Sequence, residues 1–255
     1  MNDKEETKAI ELIGNLYCRE KLRSLDRLYK SLGTLGGGNH FIEIAENKDQ
    51  ERFLLIHSGS RNLGHQVATI YGEMADKDGF LTGELIKDYL HDMNICQYYA
   101  EINRVLMVSK IVDNLNLTKA ERECTTIHNY IEMHMDCITL RKGAVRAMKD
   151  EKLVIPLNMR DGTILAKGKE NLEWNCSAPH GAGRILSRSQ AKKTLELTEF
   201  VKEMNGVYTT CVSKETLDEA PMAYKSMSMI LEHITETVEI IDVLKPVYNF
   251  KAAEK

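Results

Sequence analysis

This sequence gathers its chemistry where histidines sit beside glycines, asparagines and arginines. In Ser177-Ala-Pro-His-Gly-Ala-Gly-Arg184, followed by Ser187-Arg188, a histidine lies in a glycine turn with arginines close by in sequence. An imidazole so placed is arranged to attack a phosphoryl group whose charge the guanidiniums would stabilise. A second place is Gly33-Thr-Leu-Gly-Gly-Gly-Asn-His40, where successive glycines let the backbone approach a ligand and aim N–H groups at an anion. Asn39 and His40 add a polar contact and a potential metal ligand, and no Gly-Lys-Ser/Thr follows to make a Walker A loop. A third place, His57-Ser-Gly-Ser-Arg61, ends an apolar run just before a helix, where an imidazole could bind a transition metal and Ser58, Ser60 and Arg61 could hold phosphate. His128-Asn129 is a fourth, expected on or next to a helix. Gly-x-Ser-x-Gly is absent, and no cysteine carries a local signature of a catalytic thiol. Read singly, each place is equally a glycine-rich turn or a structural histidine. Read together, they point to a metal-dependent enzyme acting on phosphate esters.

The elements that must position these residues follow from periodicity. Apolar residues at helical spacing from Lys4 to about Lys30 predict a helix that stops at the glycine cluster. His40 to Ala45 and Phe53 to His57 predict two strands, Asn62 to Met74 and Leu85 to Val112 two helices, and Thr118-Lys-Ala-Glu121 a further helix start. After Cys137 the pattern turns to β: ITLRKGAV, KLVIPLN and TILAKG are short runs, with Asp161-Gly162 a tight turn. An amphipathic segment follows from Ile185 to about Met204, and the chain closes with a helix through Ile230 to Val243 and a strand around Val247 to Phe250. No repeat, low-complexity tract or linker interrupts these 255 residues. The expectation is an α+β fold in one domain, 1–255.

Composition narrows the class. No stretch approaches the ~18 uninterrupted apolar residues of a membrane helix, and the start, MNDKEETKAIEL, is acidic where a signal peptide would be basic. The six cysteines are far apart with no CxxC pair, which suits reduced thiols in a cytoplasmic protein. The net charge of −4 hides an uneven distribution: residues 141–193 hold 12 Lys and Arg against 5 Asp and Glu. A basic central stretch on an acidic body suits a site for a polyanion, or else a solvated charged face.

At these residues the sequence resembles the RtcB family of RNA-splicing ligases. GTLGGGNHFIEI, HSGSRNLGHQVA, IHN, HGAGR with its following SR, DEAPMAYK and the terminal KPVYNFK occur in the family's order. The resemblance runs from about Leu32 to Lys251. It implies a GTP- and Mn²⁺-dependent ligase that joins RNA ends bearing a 2′,3′-cyclic phosphate or 3′-phosphate to 5′-hydroxyl ends. By match, His180 would be the guanylylated nucleophile, and His40, His57 and His128 would be metal ligands. Asn39 and Asn129 would contact phosphate or metal-bound groups, Glu43 would accept hydrogen bonds from the guanine edge, Tyr224 would stack on the base, and Lys251 would contact guanine. Gly181, Ala182 and Gly183 would lie along ribose and phosphate, with His128 beside the nucleotide, and the basic stretch would serve as an RNA track. A carboxylate facing the N1 and N2 donors of guanine would favour GTP over ATP.

Two departures accompany the resemblance. Family members carry an N-terminal Asp-x-Gly-Cys segment that supplies a metal-binding carboxylate and a thiolate, and no such sequence occurs here; Asp92 and Cys96 are poor substitutes. The expectation is an N-terminally truncated RtcB-like domain, the C-terminal portion of the family's catalytic domain, served by a separately encoded N-terminal segment. The rival is a silent remnant that binds GTP, metal or RNA. At Pro156-Leu-Asn-Met-Arg-Asp-Gly-Thr163, where many members carry serines, Asn158 and Thr163 would donate to the nucleotide instead.

Overall fold

The computed structural model describes residues 3–117, 121, 123–134 and 137–251. Helices and antiparallel sheet are both present, the α+β class that the periodicity predicts. The chain forms two compact units, one of residues 1–36 with 56–120 and one of residues 37–55 with 121–255. Among the described residues no helix is long and apolar enough to cross a membrane.

The first unit is helical: α1 (Asp3–Gly14), α2 (Leu25–Tyr29), α3 (Leu63–Glu73) and α4 (Glu84–Asn114). Its core joins Ile13, Leu16, Leu28 and Leu32 to Leu63, Val67 and Tyr99. The single helix expected from Lys4 to Lys30 is broken into α1, a 3-10 turn at Arg19–Lys21 and α2. The cause is a competing acceptor. The carboxylate of Asp92, fully buried in α4, takes the amides of Tyr17 (2.9 Å) and Cys18 (3.0 Å), which a continuous helix would have used, and also the Tyr71 hydroxyl (2.9 Å). Asp92 is thus a structural anchor whose oxygens are already engaged.

A second buried polar side chain organises the loops of this unit. Asn103 on α4 accepts from the amides of Gly33 (2.7 Å) and Thr34 (3.0 Å) through Oδ1. Its Nδ2 donates to the Thr34 carbonyl, the Ser58 hydroxyl and the Gly59 carbonyl. One amide therefore ties the segment before the triple glycine to the one that follows His57.

The second unit is mostly β. Its principal sheet has the order β2-β1-β9-β7-β6, from β1 (Phe41–Glu46), β2 (Arg52–His57), β6 (Lys152–Asn158), β7 (Gly162–Gly168) and β9 (Val238–Lys251); residues 52–55 of β2 belong to this unit. The 14-residue β9 pairs antiparallel with β7 along its first half and with β1 along its second. Two small ladders stand apart: β3 (Asn129–His134) with β4 (Cys137–Lys142), and β5 (Ala144–Arg146) with β8 (Ser177–Pro179). Three short helices complete the unit: α5 (Arg188–Thr194), α6 (Leu197–Glu203) and α7 (Met227–Ile234). Leu153, Ile155, Ile164 and Ala166 form its largest core with Ile230, Ile234 and Val238.

Three expectations change. The closing helix ends at Ile234 rather than Val243, because Val238, Ile240 and Val243 are β-branched and pair with β7, with Ile241 left at a bulge between them. The amphipathic segment from Ile185 to Met204 divides into α5 and α6, and His128-Asn129 opens strand β3 instead of lying by a helix. Of the helix start expected at Thr118-Lys-Ala-Glu121, residues 118–120 lie outside the described residues.

Asn103→Ala strands several buried backbone groups at once and is expected to cost about 2–4 kcal/mol. Hydrogen exchange checks the cause: the Gly33 and Thr34 amides should lose protection before the α4 amides do.

Candidate functional site

Strand pairing puts His180 in place. In the β5–β8 ladder Ala144 faces Pro179, so Gly143 and His180, the next residue on each strand, are brought together. His180 Nδ1 lies 2.6 Å from the Gly143 carbonyl oxygen. A carbonyl only accepts, so Nδ1 carries the proton, and in the neutral ring Nε2 keeps the lone pair. The same peptide holds the start of β3, because the Gly143 amide donates to the His128 carbonyl (2.9 Å) and to Asn129 Oδ1 (3.1 Å). The rings of His128 and His180 stand 4.8 Å apart. Gly143 has φ +68°, and a Cβ there would lie 3.3 Å from His180 Cε1.

The glycine loop after His180 is held by backbone hydrogen bonds. Ala182 N donates to the Pro156 carbonyl (3.0 Å), and Lys225 N donates to the Gly183 carbonyl (3.1 Å). A Cβ on Gly181 would meet the Pro156 oxygen at 3.0 Å, so a bare backbone is required there.

Arg184, at the end of this loop, enters a buried ionic network built by the Asp218-Glu219-Ala-Pro segment. Its guanidinium donates to the Tyr224 hydroxyl (3.0 Å) and the Asp218 carbonyl and lies 4.8 Å from the centre of the Tyr224 ring. Glu219 accepts from the Tyr224 hydroxyl (2.7 Å), from Arg188 (2.7 Å) and from Lys251 Nζ, with Arg184 at 3.6 Å. Burial, followed by the charge of Glu219, raises the Tyr224 hydroxyl pKa, so it stays protonated and donating. Four groups on three separated stretches thus share one carboxylate.

Lys251 links this network to a second buried group. The β1–β9 register sets Glu43 opposite Asn249 and Phe41 opposite Lys251. Asn249 Nδ2 donates to Glu43 Oε2 at 2.7 Å, and the two residues are only 1% and 2% exposed. Glu43 Oε1, Asn249 Oδ1 and Thr163 Oγ1 are buried and make no hydrogen bond of ordinary geometry, although the Thr163 hydroxyl lies close enough to act on Glu43. Burial pushes the Glu43 carboxyl up to about 7, against the opposing pull of the Asn249 amide, the Lys251 ammonium and the Thr163 hydroxyl.

The remaining expected residues lie as follows. Asn39 is exposed and His40 half-buried, just before β1; His57 ends β2 and belongs to the first unit. Among the described residues no group of three or more His, Cys, Asp or Glu side chains is arranged to hold a metal ion. Asn158 uses both ends of its amide in the 158–161 turn, donating to Asp161 (2.8 Å) and accepting from the Arg160 and Asp161 amides. Much of the basic stretch is internally neutralised: Arg141, Arg146, Lys152, Arg160, Arg188 and Lys192 are each ion-paired. Sequence reasoning missed the roles of Gly143, Glu219 and Asn249. Glu219 and Asn249 stand inside quoted motifs, whereas nothing local marks Gly143, which matters only through the β5–β8 pairing.

Comparison with known proteins follows the same residues. The family model described as tRNA-splicing ligase RtcB matches residues 1–252. RNA-splicing ligase RtcB1 and RNA-splicing ligase RtcB, from two strains of Escherichia coli, are each 33% identical over 253 residues, covering 88% of this chain and 62% of theirs. The tRNA-splicing ligase RtcB of Aeropyrum pernix is 28% identical over 282 residues, 86% of this chain and 59% of its own. The chain therefore spans about three-fifths of the length of the curated relatives it matches.

The raised Glu43 pKa fixes a sign for stability. Folding favours the protonated acid, so its contribution is fully present below the ordinary glutamate range and is lost as pH rises through about 7. Glu43→Gln removes that titration. Its stability relative to the parent is expected to improve by up to about 3 kcal/mol between pH 4.5 and pH 8. Parallel urea-denaturation curves at the two pH values would contradict this.

Proposed function

The chain belongs to the RtcB family, and on that premise we propose that it takes part in GTP- and Mn²⁺-dependent ligation of RNA, joining 2′,3′-cyclic phosphate or 3′-phosphate ends to 5′-hydroxyl ends through a guanylylated His180. The observation that carries this reading is the tether of His180 Nδ1 to the Gly143 carbonyl, which leaves the lone pair on Nε2 as the nucleophile. In the first step Nε2 would form a bond to the α-phosphorus of GTP while the bond to the bridging oxygen breaks and pyrophosphate departs. The ring gains positive charge as that bond forms, and the Gly143 carbonyl is placed to stabilise the proton on Nδ1. A 2′,3′-cyclic phosphate would first be opened by water to the 3′-phosphate; GMP would then pass to that phosphate, releasing His180, and the 5′-hydroxyl would lose its proton to water and displace GMP as the phosphodiester forms.

The nucleotide would be read by residues already described. Glu43 offers a buried acceptor without a donor, which suits the guanine edge, and Tyr224, Lys251 and Thr163 stand in the same two connected networks. Asn39, Asn129, Asn158 and the Gly181-Ala182-Gly183 backbone would serve the phosphates and ribose. Mn²⁺ would be held through His40, His57 and His128 and would offset phosphate charge when bound. A second reading is a protein that binds nucleotide or RNA without ligating. On either reading the setting is the cytoplasm.

Intact mass of the chain after incubation with GTP and Mn²⁺ separates the two. The ligase reading predicts a GMP-sized increase that His180→Ala abolishes; a folded chain that gains no mass would leave the binding reading. Gly143→Ala, which crowds the His180 ring at a positive φ, is expected to slow adduct formation by about tenfold or more.

A further inference from the structure

Resting on the reading of a guanine nucleotide beside Glu43, we infer that Asn249 is a second base-reading residue: Glu43 takes one of the two adjacent donors on the guanine edge and the Asn249 side-chain carbonyl takes the other. Such a division differs from one in which the carboxylate receives both donors.

The argument begins with the strand register. Glu43 and Asn249 are directly opposite on β1 and β9, so their side chains leave the same face of the sheet. The Asn249 amide spends its NH₂ on Glu43 Oε2 at 2.7 Å. With Glu43 ionised, that bond also fixes which way the amide points, because flipping it would set Oδ1 against a carboxylate oxygen, acceptor against acceptor. Oδ1 is therefore turned away from the carboxylate and, like Glu43 Oε1, is buried with no partner. Buried polar atoms are nearly always satisfied, so a pair of open acceptors on neighbouring side chains is a vacancy for donors. Thr163, whose hydroxyl lies close enough to act on Glu43, carries a single proton, and a carboxylate oxygen that takes it keeps a second lone pair for a ligand donor.

The ligand edge that fits must carry two adjacent donors. Guanine presents N1–H beside the N2 amine, whereas adenine puts an acceptor at N1, and hypoxanthine keeps N1–H but lacks the amine. Inosine triphosphate thus differs from GTP by the single group that Asn249 would receive. A site built to hydrogen-bond that group rejects the analogue lacking it, because its own acceptor is then left unpaired.

The test is calorimetric titration of the full chain with GTP and with inosine triphosphate, with and without Mn²⁺. The unaltered protein is expected to prefer GTP by about tenfold, the worth of one buried hydrogen bond. Asn249→Ala should bring the ratio close to one by weakening GTP alone. Asn249→Ser, whose hydroxyl can still donate towards Glu43 but is too short to keep the carbonyl's position, should do the same and guards against a folding defect in the first variant. Glu43→Gln should weaken both nucleotides alike, since both carry N1–H. A GTP preference that survives both Asn249 substitutions, or equal binding by the unaltered protein, would overturn the role of Asn249 and leave Glu43 as sole reader. If neither nucleotide binds the unaltered protein, the guanine reading falls and this inference falls with it.

Discussion

The Gly143 peptide is the joint on which the candidate active site depends. Its N–H faces the start of β3 and its carbonyl faces His180, so one planar group fixes the separation of the His128-Asn129 segment and the glycine loop. No side chain could do this without occupying the space of the imidazole. The β5–β8 ladder is only three residues on each strand, yet it sets the register that brings the two together.

Buried charge supplies the second constraint. A carboxylate removed from water needs donors, and Glu219 finds them on the loop after His180, on α5, at Tyr224 and on β9. Arg184, Arg188, Tyr224 and Lys251 are therefore oriented by one another. Glu43 is the contrast: equally buried, it has only the neutral Asn249 amide and Thr163 hydroxyl as close donors, and a raised pKa. Between them they separate a carboxylate that organises protein from one that is left to receive something else. In the first unit Asp92 and Asn103 do organising work of the Glu219 kind, fixing loops that apolar packing alone would not define.

How much of this could be read from the sequence depends on how local the determining interaction is. Strands β1, β2, β6 and β7 and helices α3 and α4 follow from period and punctuation, and the structure places them within a residue or two of the pattern. The broken first helix did not show, because its breaker is Asp92, more than 70 residues away. The C-terminal strand was shortened in favour of helix, because the pattern through Ile230 carries on apolar past Ile234 and only pairing with β7 decides its state. At the site, His180 and the residues of its motif were legible from their types. Gly143, and the use of Asn158 inside its own turn, were not, since both depend on backbone geometry that composition does not encode.

On the proposed reading, the proton that Gly143 holds on Nδ1 would also govern the fate of a bond made at Nε2. On the proposed reading, an imidazole phosphorylated at one nitrogen and protonated at the other is a cation, and it departs as a neutral ring. An arrangement without that tether could shed the proton and leave an anionic leaving group, a far poorer one. The carbonyl that orients the nucleophile would thereby keep the intermediate activated, and the enzyme would need no separate acid to release it.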